Sequence, residues 1–149
     1  MSEPGAMSSW RRILALYFSG QFARFLLAGG ISAVLNWVSR VAFNSFMGFT
    51  AAVFCAYAIG MAVAYTLNRR FVFPNSERSM DVEIRYFVLF NIVSLPIVWA
   101  VASLLGEHVL TRWFAPSMAR GVGHAVALCV PVLTNFVLHK FITFKGAKL

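Results

Sequence analysis

Acidic side chains are scarce in this sequence: Asp and Glu number 5 among 149 residues, and none stands in a long apolar run. Glu3 lies near the start, Glu77, Asp81 and Glu83 share one polar stretch, and Glu107 falls in another. That distribution argues against a proton relay of intramembrane carboxylates and against exporters that depend on a buried Glu. It also removes the paired carboxylates of general acid–base chemistry. No Gly-rich GK[ST] loop is present, so a phosphate-cradling nucleotide site is not expected. Cysteine is limited to Cys55 and Cys129, both within apolar runs; they form no disulfide framework and fit small, inert packing residues. A nucleophile paired with a base and a cluster with metal-ligand spacing are missing too. No enzyme activity, cofactor or metal is therefore expected. Residues 1–9 are polar, Arg11 and Arg12 follow, and the first long apolar run has no evident small-residue cleavage site, so no cleavable signal peptide is expected.

Hydrophobicity is abundant. The chain is 60% hydrophobic and 12% charged, with a mean hydropathy of +0.74, whereas a soluble domain sits near half apolar and a quarter charged. An integral membrane protein is the class this defines. The net charge of +8 belongs to basic residues flanking the apolar runs, which makes anionic lipid, not nucleic acid, the expected partner.

The pattern predicts an all-α membrane protein forming a single domain over 1–149, with transmembrane helices at 22–46, 50–70, 85–105 and 121–140. Before them, SSWRRILALYFSG at 8–20 puts Trp10, Ile13, Leu14, Tyr17 and Phe18 on one helical face. Too short to cross, it is predicted as an interfacial helix, the alternative being the first turns of the next helix. Residues 74–83 read as a polar loop, 106–120 as a longer connection on the opposite side, and Pro96 and Pro131 fall inside spans. Of the 13 Lys and Arg, Arg40, Arg112 and Arg120 lie on one side and the remainder on the other. The excess marks the cytoplasmic side and places both termini there.

Ala52, Ala56, Gly60 and Ala64 recur every fourth residue and give the second span a strip of small side chains. Such strips let helix backbones approach closely in lipid, where hydrophobicity gives no preference for protein over tails. The halves of the chain also repeat. RFLL at 24–27 matches RYFV at 85–88, an offset of 61 residues from Arg24 to Arg85. LNRRFVF at 67–73 matches LHKFITF at 138–144, an offset of 71 from Leu67 to Leu138. The second offset carries the small strip onto Gly123, Ala127, Pro131 and Asn135. Each repeat holds two helices, so the repeats are parallel, not inverted.

RFLLAGGISAVLN at 24–36, YTLNRRFVF at 65–73 and NFVLHKFITF at 135–144 resemble the GtrA-like family of small four-helix membrane proteins, over roughly residues 22–145. The resemblance implies translocation of a polyprenyl-phosphate-linked sugar, such as undecaprenyl phosphate glucose, across a bacterial cytoplasmic membrane. A membrane glycosyltransferase would then use that sugar to decorate O-antigen or another surface polysaccharide. Two positions depart from the family pattern: Ala64 stands where an Asn often precedes the first exit motif, and His139 replaces an Asn in the second. The second departure leaves room for a pH-sensitive variant.

On that basis the lipid phosphate would be held by Arg24, Arg69, Arg70, Arg85 and Lys140 on the cytoplasmic side and received by Arg40, with Arg112 and Arg120, on the other, Arg being suited to a phosphate by its bidentate fork. The alternative for these residues is topological anchoring. Asn36, Asn68, Asn91, Asn135 and His139 are candidates for a polar path, with Ser39, Ser94 and Thr134 nearby; helix-to-helix hydrogen bonding is the competing role. Four helices are few to enclose a sugar, so a groove open to lipid or a homo-oligomer is expected. A membrane adaptor that organises a glycosyltransferase without moving lipid is the other function these features allow, and a small-solute exporter is a third.

Overall fold

A computed structural model describes residues 14–146. They are helical nearly throughout, with no strand among them: α1 spans Gly20–Phe43, α2 Phe49–Leu67, α3 Met80–Ser103 and α4 Pro116–Leu138. Each belongs to a segment long and apolar enough to cross a membrane. The chain divides into two compact units, one ending at Pro74 and the other beginning at Asn75. Each unit is a hairpin of two long helices, and each finishes in a π-helical turn, Asn68–Val72 in the first and His139–Thr143 in the second.

A short helix at residues 14–17 precedes α1, within the expected 8–20 stretch, of which residues 8–13 lie outside the described residues. Ser19 separates the two helices. Its hydroxyl donates to Leu16 O at 2.6 Å and accepts from Phe22 N at 3.2 Å, closing one helix and capping the next.

Two helices start earlier than the apolar runs suggest, and both starts have local causes. α3 begins at Met80, inside the expected 74–83 loop. Ser79 is its N-cap residue, and Asp81 and Glu83 sit in the first turn, where carboxylates complement the helix dipole. α4 begins at Pro116, whose missing N–H costs nothing at the first helical position. Between them the chain stays helical through a π-turn at Leu104–Val109 and a 3₁₀ turn at Leu110–Arg112. Little of the expected 106–120 connection is therefore irregular. Glu83 is a further correction: it stands in α3, not in the loop, and is fully buried.

The small strips form the helix–helix contacts within each hairpin. In the first, Ala52 and Ala56 are fully buried, Gly60 is buried and Ala64 half-buried. A Cβ added at Gly60 would lie 2.8 Å from Asn36 Cβ, so the glycine is what admits that side chain. In the second hairpin Gly123 and Ala127 are buried, and a Cβ at Gly123 would lie 2.7 Å from the backbone N of Gly106. Backbones this close exclude any side chain larger than hydrogen. Away from these seams the helices present large apolar groups uncovered by protein, among them Phe54 and Trp99, each 72% exposed. Faces of that kind suit lipid.

Candidate functional site at the basic ends of the hairpins

The repeat read from the sequence is repeated in backbone geometry. Phe73 N donates to Asn68 O at 2.8 Å and Phe144 N donates to His139 O at 2.8 Å, the same five-residue closure 71 positions apart. In both hairpins the aromatic that ends the motif, Phe73 or Phe144, is fully buried and anchors the turn. π-turns are rare in proteins and concentrate at functional positions. Here each carries the basic residues singled out above, Arg69 and Arg70 in one and Lys140 in the other.

The first basic end is latched to the start of its own hairpin. Gln21 Nε2 donates to Val72 O at 2.9 Å and is 3% exposed, so the beginning of α1, one turn before Arg24, rests on the π-turn. Arg24 is exposed, with Nε donating to Gly20 O at 3.3 Å; Arg69 is half-buried and Arg70 exposed. Asn68, the first residue of the turn, is buried, and its Nδ2 donates to Ala64 O at 2.8 Å. Its Oδ1 is enclosed and meets no hydrogen-bond donor.

The second basic end is closed by rings. His139 stacks on Phe87 with centroids 4.5 Å apart and planes inclined by 14°, and Phe144 lies edge-on at 6.1 Å. His139 Nδ1 is 3.0 Å from Thr143 Oγ1. Lys140 is buried with its ammonium 6.0 Å from the Phe136 ring, a cation–π geometry. Arg85, on α3 two residues before Phe87, is exposed.

The remaining amides are placed differently from one another. Asn36 is half-buried, and its Nδ2 donates to Ala56 O across α1 and α2 at 3.2 Å. Asn91 donates to Phe87 O on its own helix at 2.8 Å. Asn135 is buried, its Oδ1 3.2 Å from Ser94 Oγ, a hydroxyl that also donates to Phe90 O at 2.7 Å. Asn36 stands against Gly60, two helical turns or ~12 Å before Asn68, and is not gathered with the basic end. Arg40 lies at the other end of α1, its guanidinium 5.8 Å over the Phe49 ring.

Sequence reasoning missed Gln21, Glu83, Thr143 and Gly106. Thr143 had a signal: the repeat places it opposite Val72, while His139 replaces Asn68 one turn earlier. The two changes together spell a new polar pair. Gly106, by contrast, acquires meaning only once Gly123 is seen against its backbone.

Four membrane-length helices folded as a duplicated hairpin, each copy ending in a basic, polar π-turn, define a small multi-pass membrane protein. Residues 24–144 match the family model described as GtrA/DPMS, transmembrane domain, and the chain belongs to that family. No curated protein and no solved structure matches it.

Proposed function

We propose that the protein moves a polyprenyl-phosphate-linked monosaccharide, such as undecaprenyl phosphate glucose, from the inner to the outer leaflet of a bacterial cytoplasmic membrane. Both termini lie on the cytoplasmic side, and a membrane glycosyltransferase consumes the sugar outside, for O-antigen or another surface polysaccharide. Consumption draws the movement downhill, and the protein performs no covalent chemistry.

The observation that carries this reading is the juxtaposition, at the end of an apolar hairpin, of basic residues with a buried amide, in a chain matched over 24–144 by the GtrA/DPMS family. A sugar hydroxyl stripped of water in hydrocarbon costs several kcal/mol. A flippase lowers that barrier by offering replacement hydrogen bonds. In the first hairpin Arg24, Arg69 and Arg70, and in the second Arg85 and Lys140, offer cations to a phosphodiester on the cytoplasmic side, and Arg40 receives it on the other. Asn68, Asn91 and Asn135 serve the hydroxyls, while Asn36 and His139, both engaged inside their own hairpins, support the path. A second copy of the chain helps to enclose the headgroup, four helices being few for that task.

Leaflet-resolved transport of a labelled polyprenyl-phosphate sugar, in liposomes holding only this protein, tests the proposal. Protein-dependent appearance of label in the opposite leaflet is expected; folded protein that leaves the label where it began overturns it.

The second reading, an adaptor that holds a glycosyltransferase in place, is favoured by one observation: Asn36 and Asn135 already meet partners within their hairpins. Replacing Asn36, Asn91 and Asn135 together by Leu, in protein whose thermal unfolding shows it still folded, separates the two, and Asn91→Leu alone does so without touching a bond between helices. An adaptor keeps glycosylation through these changes, and a flippase loses it.

A further inference from the structure

We infer that the two hairpins have divided the work, and that the buried amide oxygen of Asn68 is the acceptor that recognises a hydroxyl of the sugar headgroup; this rests on the flippase reading above. Asn68 and His139 occupy the same place in the repeat, the first residue of each π-turn. Their surroundings differ. His139 is enclosed by Phe87 and Phe144, and its Nδ1 is paired with Thr143 Oγ1 at 3.0 Å. In the first hairpin the positions of Thr143 and Phe87 are taken by Val72, which has no polar side-chain atom, and by Leu26, which is 46% exposed. The side-chain partner that the second hairpin built around this residue is absent from the first.

The orientation of the Asn68 amide is fixed chemically. Ala64 O accepts only, so the atom 2.8 Å from it is the NH₂ group, and the amide oxygen faces the other way. That oxygen is enclosed and has no donor. The nearby carbonyl of Val72 is satisfied by Gln21, which leaves the Asn68 oxygen as the unmet acceptor of this end. Buried acceptors are almost always paired, so an exception calls for an explanation. A donor is what it lacks, and a phosphodiester, an acceptor itself, does not supply one. A sugar hydroxyl does.

The neighbouring residues fit the same ligand. Arg69 and Arg70 follow Asn68 in the same turn, so a hydroxyl acceptor and cations for the diester stand side by side, as hydroxyls and phosphodiester do in a sugar phosphate. Because the oxygen is enclosed, a hydroxyl that reaches it requires the π-turn to open. The selectivity of the first hairpin then depends on headgroup hydroxylation, not only on charge.

The test uses the full chain in liposomes and a series of labelled polyprenyl-phosphate monosaccharides, each lacking one sugar hydroxyl. Wild-type protein is expected to move one member of the series ~10-fold more slowly than the parent lipid. In Asn68→Leu the parent and that member move at the same, reduced rate. The ratio is taken within one preparation, so it does not depend on how much variant is folded. Asn68→Ala carries the same expectation should Asn68→Leu fail to insert. Equal movement of every member by wild-type protein, or retained selectivity in the Asn68 variants, overturns the inference and leaves the flippase reading standing. Failure of wild-type protein to move the parent lipid overturns both.

Discussion

Among glycines of the long helices, the tightest contact in the first hairpin is Gly60 against the side chain of Asn36; in the second it is Gly123 against the backbone of Gly106. One seam is adjustable, since a rotamer or a substitution at Asn36 alters it. The other is fixed, because its closest atoms are main chain. The basic ends follow the same division. Asn68 keeps an amide oxygen without a donor, whereas His139 is stacked and paired. The two copies of one scaffold thus differ both where their helices pack most closely and at the first residue of their π-turns.

The largest expected effect breaks the fixed seam. Gly123→Ala places a methyl carbon 2.7 Å from Gly106 N and 2.9 Å from its Cα. Helices must separate to admit it, at a cost of ~3 kcal/mol, and Gly123→Leu should abolish the folded hairpin. Thermal unfolding in detergent micelles measures this. No single side-chain truncation nearby should rescue Gly123→Ala, because the closest obstacles are backbone. Wild-type stability in Gly123→Ala would remove the distinction between the seams.

The adjustable seam predicts the opposite pattern. Gly60→Ala sets a methyl 2.8 Å from Asn36 Cβ and 3.0 Å from its Nδ2, costing ~1–3 kcal/mol. Asn36→Gly removes those obstructing atoms at the same step as it loses the Ala56 hydrogen bond, a bond worth ~0.6 kcal/mol between membrane helices. The double variant should therefore be more stable than the sum of the single changes by ~1 kcal/mol, read as coupling in a double-mutant cycle. Additive behaviour would show that the two residues do not share the contact.

These contrasts explain what the sequence disclosed and what it withheld. The four helices were legible because apolar length is a composition property, and the repeat was legible because LNRRFVF and LHKFITF align residue by residue. The strip of Ala52, Ala56 and Gly60 announced a packing face through its spacing alone. Its counterpart in the partner helix did not: Gly60 meets Asn36, and Gly123 meets Gly106, at the depth where the segments of one hairpin cross, which no local pattern records. Glu83 misled for a related reason. It sits among polar residues, and only the capped start at Ser79 draws it into α3, where it is buried. The π-turns were hidden as well, because the same residues continue an α-helix as readily on propensity.

A smaller effect tests whether the second basic end is closed by its polar pair. Thr143→Val removes the hydroxyl 3.0 Å from His139 Nδ1 and copies the residue that the first hairpin carries at Val72. With its partner gone, the buried ring atom should cost ~1–2 kcal/mol of stability, as a midpoint shift in thermal unfolding. Thr143→Ser, which keeps the hydroxyl, should recover most of it. Equal losses in both variants would assign the role of Thr143 to packing.

The smallest expected structural effect gives the cleanest functional test. Asn91 bonds only the carbonyl of Phe87 within α3, among the contacts described, and is half-buried. Asn91→Leu replaces it with a residue of high helix propensity and similar size, so stability should stay within ~0.5 kcal/mol of wild type. Asn36 and Asn135 do not offer this separation, because each also serves a contact between helices. If Asn91 offers its amide to the moving headgroup, transport in liposomes should fall several-fold while the unfolding midpoint is unchanged. If transport is also unchanged, Asn91 belongs to the scaffold, and the path through the second hairpin shrinks to Asn135 beside a closed His139. Selectivity would then rest on the first hairpin alone.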